Sequence, residues 1–253
     1  MCVAAVAWQA HPRWHLVAIG NRDEFHERPA AALSRWDGAG SILAGRDLQS
    51  GGTWLGLSDA ERFALVTNLR GYGGPDPDKV SRGALVTGLL TGSGAYADAE
   101  RVELSAFNPF NLIVANSREA RFLSNKPQDI RTSLAHGIYG LSNGTLDEPW
   151  PKTLQLKAAL LGWLTADAGD FEPLFAALAN ETLPDIGLHP TEPSEIAVEA
   201  SETPVFIRHA LYGTRCSTVV AIASDGTGTV VERSFDPGGE PSGEVAFDFR
   251  WEL

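Results

Sequence analysis

The residues of this chain best suited to chemistry are Cys2 and the run Asn21-Arg22-Asp23-Glu24. Cys2 follows Met1 directly and opens the apolar run Cys2-Val3-Ala4-Ala5-Val6-Ala7-Trp8. A side chain that small permits removal of the initiator methionine, which would leave a thiol and a free α-amine on one residue. An amine titrating near pH ~8 can take the thiol proton, so nucleophile and base arrive together. The same cysteine also suits a small hydrophobe on a buried strand. The run at 21–24 packs two acids, an Arg and an Asn directly after a predicted strand, where a solvated turn would favour the same residue types. Asn68 and Asn143 each end an apolar strand, a position for a turn former or for a neutral donor aimed at a developing oxyanion. Arg215 precedes Cys216 at the start of a long strand.

The elements that must position these residues read as strands, then helices, then strands. β-rich runs over 3–8 and 16–20, separated by His11-Pro12-Arg13, predict a hairpin. Further strands are expected over 41–44, 53–57 and 63–67, and a loop over the glycines and prolines of 71–77. Ser81 is placed to cap a helix whose Leu85, Val86, Leu89 and Leu90 share one face. A second helix is expected near 97–104, and strands return over 111–115, 120–123 and 137–141. The clearest helical stripe is Trp150, Leu154, Leu160, Leu161 and Leu164, with prolines at its entry. Asp170 is a plausible N-cap for a helix bearing Phe171, Leu174, Phe175 and Leu178. Residues 181–203 suggest a long surface loop. A hairpin over 216–223 and 229–233 and an edge strand over 245–251 close the chain. Two packed sheets with helices outside fit this order, with residues 1–253 forming one domain.

Composition excludes several classes. A net charge of −12 with no basic run opposes binding to nucleic acid or to an anionic membrane surface. The apolar stretches are strand-sized, so no integral membrane segment is expected, and the start lacks a secretory pattern. Two cysteines, Cys2 and Cys216, cannot build a disulfide framework, and a cytoplasmic location is the simplest reading. Phosphate-loop, dinucleotide, zinc-protease and Cys-x-x-Cys signatures are missing. His11 and His15 flank a turn-like proline and read as surface histidines rather than metal ligands.

The chain resembles the NRDE family, relatives of transport and Golgi organization protein 2. The resemblance rests on Met1-Cys2, Asn21-Arg22-Asp23-Glu24, Gly45-Arg46-Asp47, Gly51-Gly52-Thr53-Trp54-Leu55-Gly56, Thr67-Asn68-Leu69-Arg70 and Ser81-Arg82-Gly83. That family is linked in general terms to lipid and acyl-thioester metabolism and to haem handling. A more distant likeness, in the order Cys2, Arg22/Asp23, Asn68, Asn143 and Arg215, is to the choloylglycine-hydrolase branch of the N-terminal nucleophile (Ntn) hydrolases. It implies an α+β fold, a four-layer αββα sandwich of two mainly antiparallel sheets flanked by helices. It also implies Cys2 as nucleophile and base, Asp23 holding the amine, and Arg22 beside the thiolate. Asn68 and Asn143 would then lie near the oxyanion and the amine, and Arg215 across the site would favour the thiolate. The Asn21-Arg22-Asp23 order departs from that branch, where Arg and Asp are more widely spaced.

The expected function is hydrolysis of an amide or thioester bond in a small acyl- or aromatic-containing substrate, with no cofactor. Asn21, Glu24 and Trp54 are the substrate-binding candidates. Trp8 and Trp36 are further aromatic candidates, and Glu24, Arg28 and Arg46 read either as head-group contacts or as exposed charges. The alternative is a non-catalytic carrier of haem or acyl lipids on the same fold, with Cys2 as an axial ligand. The partner is a small molecule, and a homo-oligomer is compatible with the sequence.

Overall fold

Most central strands carry apolar side chains on both faces, and this drives the chain into stacked layers. The computed structural model describes residues 2–38, 41–167, 169–187 and 202–253. Among them, six strands form one antiparallel sheet. In spatial order they are β10 (Gly137–Leu141), β1 (Cys2–His11), β2 (Trp14–Phe25), β11 (Tyr212–Ala223), β12 (Thr227–Phe235) and β13 (Pro241–Arg250). Seven strands form the other in simple sequence order: β3 (Ala30–Trp36), β4 (Ile42–Asp47), β5 (Leu55–Ser58), β6 (Arg62–Asn68), β7 (Phe110–Ala115), β8 (Ala120–Ser124) and β9 (Ile130–Ser133).

Successive strand residues point to opposite faces, and the cores follow that parity. Ala4, Val6 and Trp8 of β1 enter the core between the sheets, where they meet Leu43, Leu57, Phe63 and Ile113 of the second sheet. Val3, Ala5 and Ala7 face outward against α2 (Pro151–Thr165) and α3 (Glu172–Leu178), which contribute Leu156, Leu160, Leu174 and Phe175. The outer face of the second sheet is covered by α1 (Arg82–Thr91) through Leu85, Val86, Leu89 and Leu90. Each large apolar side chain so buried contributes about 1.5–3 kcal/mol. The result is an αββα sandwich.

Several elements differ from the sequence expectation. β2 runs on to Phe25, so the run at 21–24 is strand rather than turn, with Asn21, Arg22 and Asp23 buried. No α-helix forms near 97–104, where single 3₁₀ turns stand at Gly94–Tyr96 and Leu104–Ala106. The Asp98 carboxylate takes the Glu100 N–H at 2.9 Å, a local bond that competes with the helix ladder. β3 and β9 were not anticipated; both lie at sheet edges with largely exposed residues, which weakens the apolar signal. Ser81 caps α1 as expected, accepting the Gly83 N–H at 3.2 Å. The cap position of α3 is Phe171, while Asp170 accepts the Glu172 N–H from one residue earlier. Of the expected loop over 181–203, residues 188–201 lie outside the described residues, and Thr203 is buried rather than on the surface.

One backbone contact fixes α1 against the second sheet. A Cβ on Gly52 would lie 2.3 Å from the carbonyl carbon of Gly83, and neither backbone can yield without displacing the helix start. Gly52→Ala is therefore expected to destabilise the protein by about 1–3 kcal/mol, the range for overpacking. A urea midpoint equal to that of the parent protein would show that the two segments do not meet so closely.

Candidate functional site

Cys2 is the first residue of β1, and the pairing of β1 with its neighbours sets what surrounds its side chain. Cys2 stands directly opposite Arg22 on β2, and Arg22 stands opposite Cys216 on β11, so the guanidinium-bearing residue is flanked by both thiols. Ser142, just past β10, donates its hydroxyl to the Cys2 carbonyl at 2.9 Å and anchors the strand start. The pairing of β1 with β2 ends at Cys2 and Arg22, and among the described residues no strand pairs with β2 beyond it on that side. Asp23 thus borders the same space as Cys2 although it points to the opposite face of β2. That space is a cavity of about 240 Å³ where half-buried Cys2 meets Arg22, Asp23, Glu24, Trp54, Asn68 and the start of α1.

Arg22 is 5% exposed and must be compensated from within. Its guanidinium carbon lies 4.4 Å from the centroid of the Trp54 ring, and Nη2 lies 3.6 Å from Asp47 Oδ2. Gly45 leaves room for that indole, since a Cβ there would come within 2.5 Å of it. Asp47 also accepts from Arg28 Nε at 2.7 Å and from the N–H groups of Gln49 and Ser50. Burial alone would raise the Asp47 carboxyl, but these donors outweigh it and hold the group below its ordinary value. Arg22 Nη1 is buried and has no hydrogen-bond partner among the described residues.

Asp23 is 2% exposed and accepts the Thr214 hydroxyl at 2.7 Å, while its carbonyl accepts from the Tyr212 hydroxyl at 2.8 Å. Its backbone N–H hydrogen-bonds the Cys2 sulfur. Burial raises both the Cys2 thiol and the Asp23 carboxyl, and Asp23 adds to the rise at the sulfur, whereas Arg22 opposes both rises. Lys152 enters the same group from the first turn of α2. It is fully buried, donates to Thr203 Oγ1 at 2.8 Å, and interacts electrostatically with Asp23 and Cys2.

Of the residues picked from sequence, Cys2, Arg22, Asp23, Glu24, Arg28, Trp54 and Asn68 border the cavity. The Asn68 side chain makes no hydrogen bond among the described residues, and the Asn68 carbonyl accepts from Asn143 Nδ2 at 2.6 Å. Asn143 is buried behind Asn68, and its Oδ1 has no hydrogen-bond partner among the described residues. Asn21 turns away from the cavity: its amide donates to the carbonyls of Leu178 and Val205, and Oδ1 accepts from Ser217, so it joins β2 to the helix layer. Arg215 sits at an irregularity of β11 and donates to the carbonyls of Phe25, His26 and Arg28, holding the turn into β3 rather than bordering the cavity. Cys216 is buried beside Glu232, and burial with that carboxylate pushes its thiol well up. Two cations were not read as site residues from the sequence: Arg82, which borders the cavity, and Lys152, which is fully buried and is not among the residues lining it. Each stands in the first turn of a helix, where the dipole disfavours a cation, and that misfit was the available signal.

The family model described as Transport and Golgi organisation 2 matches residues 1–237 of this chain. The Transport and Golgi organization protein 2 homolog of Bos taurus is 32% identical over 277 residues, covering 100% of this chain and 96% of that protein. The homolog of Homo sapiens is 32% identical over 259 residues, covering 92% of this chain and 93% of that one. Among solved structures, a mutant of the conjugated bile acid hydrolase from Clostridium perfringens aligns over 99% of this chain and 97% of its own. The TM-score is 0.51 at 8% identity, a likeness of fold and of nothing finer. The αββα sandwich is thus the Ntn-hydrolase-like arrangement.

Asp47 makes the site acid-sensitive. Its depressed carboxyl contributes stability above the ordinary Asp value near pH ~3.9, and that contribution is lost as the pH falls through the lower folded-state value. Asp47→Asn should destabilise the fold at pH 7 by on the order of 3 kcal/mol, because Arg22 and Arg28 lose their shared anion. It should also flatten the decline of stability below about pH 4. Denaturant melts of both proteins across that range check both effects.

Proposed function

The chain belongs to the Transport and Golgi organisation 2 family, and we propose that it is an N-terminal cysteine hydrolase. Its target is an amide or thioester bond in a small acyl- or aromatic-containing substrate. The observation that carries this reading is the Cys2 sulfur at a cavity shared with Arg22, Asp23 and the amide of Asn68. Removal of Met1 frees the Cys2 amine, which takes the thiol proton as sulfur attacks the carbonyl carbon. The carbonyl oxygen becomes an oxyanion that the Asn68 amide is free to meet, and the buried Asn143 Oδ1 is an acceptor suited to the amine N–H. Collapse breaks the C–N or C–S bond, the leaving group takes the proton, and water then hydrolyses the acyl-enzyme.

Within this scheme Arg22 supplies positive charge beside the sulfur, and Asp23 holds the amine. Arg215 acts from further off by fixing the carbonyls between β2 and β3. Glu24 and Trp54, at the cavity wall, meet the substrate.

The test begins with the intact mass of the purified protein, which should lack Met1. A panel of amides, acyl-CoA thioesters and lactones should then give turnover that Cys2→Ala abolishes. Asn68→Ala should lower turnover by about 10²–10³-fold, the cost of losing one oxyanion donor. Retained Met1 with turnover indifferent to Cys2→Ala sinks the hydrolase reading. Tight binding without turnover would identify a carrier instead.

A further inference from the structure

The cavity that holds Cys2 is lined by the cations Arg22, Arg28, Lys79 and Arg82 and by the carboxylates Asp23, Glu24 and Asp47. The carboxylates are already engaged. Asp47 lies 2.7 Å from Arg28 and 3.6 Å from Arg22, Glu24 lies 3.8 Å from Arg28, and Asp23 accepts from Thr214. Lys79 and Arg82 form no ion pair among the described residues. Exposed Lys79 donates to the Ser105 carbonyl at 2.7 Å, and half-buried Arg82 donates through Nη1 to the Pro109 carbonyl at 3.0 Å. That Pro109 oxygen also takes the N–H of Leu69 at 3.0 Å, so the Arg82 guanidinium is anchored one residue from Asn68. Its other donors meet no acceptor among the described residues. Arg22, in the same wall and only 5% exposed, likewise keeps Nη1 unpartnered among the described residues.

We propose that Arg82 sets the specificity of this cavity by binding an anionic group, a carboxylate or a phosphate, which the substrate carries close to its scissile carbonyl. The inference rests on the reading of Cys2 as the reacting thiol. A guanidinium presents a planar fork that matches either anion with two parallel hydrogen bonds. The ten-residue helix α1 adds the positive end of its dipole behind Arg82. It adds little through free N–H groups, because Ser81 meets those of Gly83, Ala84 and Leu85. The cavity, at about 240 Å³, is smaller than the ~300–1,000 Å³ of sites that enclose a whole drug-sized ligand. It therefore takes the reacting carbonyl and the nearby anion and leaves a longer acyl or aromatic portion outside. A chain with a net charge of −12 repels anions in general, so any preference for one must be made by this wall.

The experiment compares alkylation of Cys2 by iodoacetate and by iodoacetamide, two reagents of nearly equal size that differ in charge. Mass spectrometry of the Cys2 peptide near neutral pH gives both rates, and their ratio cancels the protonation state of the thiol. The ratio in the folded protein should exceed that of the urea-unfolded chain by about tenfold, the low end for one hydrogen bond to a charged group. Arg82→Gln should remove most of that excess, whereas Arg101→Gln, an exposed site away from the cavity, should keep it. Acetate and inorganic phosphate, at constant ionic strength, should slow alkylation by iodoacetamide, and the one effective at lower concentration identifies the preferred anion. A folded-state ratio no higher than the unfolded one overturns the proposal, as does failure of both anions to protect. An unchanged ratio in folded Arg82→Gln also overturns it, since a guanidinium that only held Pro109 would leave the ratio alone. If Arg82→Gln does not fold, Arg82→Lys replaces it; losing the fork should lower the ratio by about threefold, and no change overturns the proposal. None of these measurements needs turnover, so a failed amide and thioester panel would remove the hydrolase reading alone. Cys2-dependent turnover with no preference for iodoacetate would remove the anion site alone.

Discussion

A guanidinium placed between two sheets has to be neutralised by the protein itself, and the burial of Arg22 organises much of what surrounds Cys2. Its partners come from the second sheet: the Asp47 carboxylate at the end of β4 and the Trp54 ring at the start of β5. Gly45 is small because that ring needs the room, and Gly52 is small because α1 comes down on it. The landmarks of 45–56 and 81–83 thus serve one arrangement, in which the second sheet and its helix clamp a charge borne by the first. An uncompensated buried ion costs several kcal/mol, so loosening this clamp costs stability before it alters any chemistry.

Much of the fold was legible because its signal is parity. Val3, Ala5 and Ala7 go to one core and Ala4, Val6 and Trp8 to the other, and a strand apolar on both faces must lie between two layers. The Ser81 cap and the Leu85–Leu89 face of α1 read correctly for equally local reasons. What failed were edges and short turns, such as β9, where Arg131, Thr132 and Ser133 are exposed and carry no apolar pattern.

The site was less legible, and parity explains that too. Asn21, Arg22 and Asp23 are consecutive in a strand, so they cannot all face one cavity. Arg22 points between the sheets, while Asn21 is spent on the carbonyls of Leu178 and Val205. Reading 21–24 as a turn hid that division. Lys152 was hidden for another reason, because its burial depends on α2 lying tight over β10. A Cβ on Gly140 would come 2.3 Å from Thr153 Cγ2, and such an approach between distant segments leaves no local trace.

The two helix starts complete the electrostatics from opposite sides. The first turn of α1 brings Arg82, which feels Cys2 and Glu24, over the cavity from the outer layer of the second sheet. The first turn of α2 brings Lys152, which feels Cys2 and Asp23, from the outer layer of the first. Each helix adds the positive end of its dipole to a cation that its own dipole disfavours. In a chain with a net charge of −12, two cations at helix starts, Arg82 half-buried and Lys152 fully buried, are costly locally. They offset part of the negative charge of Asp23 and Glu24 in a region of low dielectric, where an unpaired anion is otherwise expensive. The αββα sandwich permits this because its two outer helix layers can both reach the open end of β1, and it is there that the strand begins with Cys2.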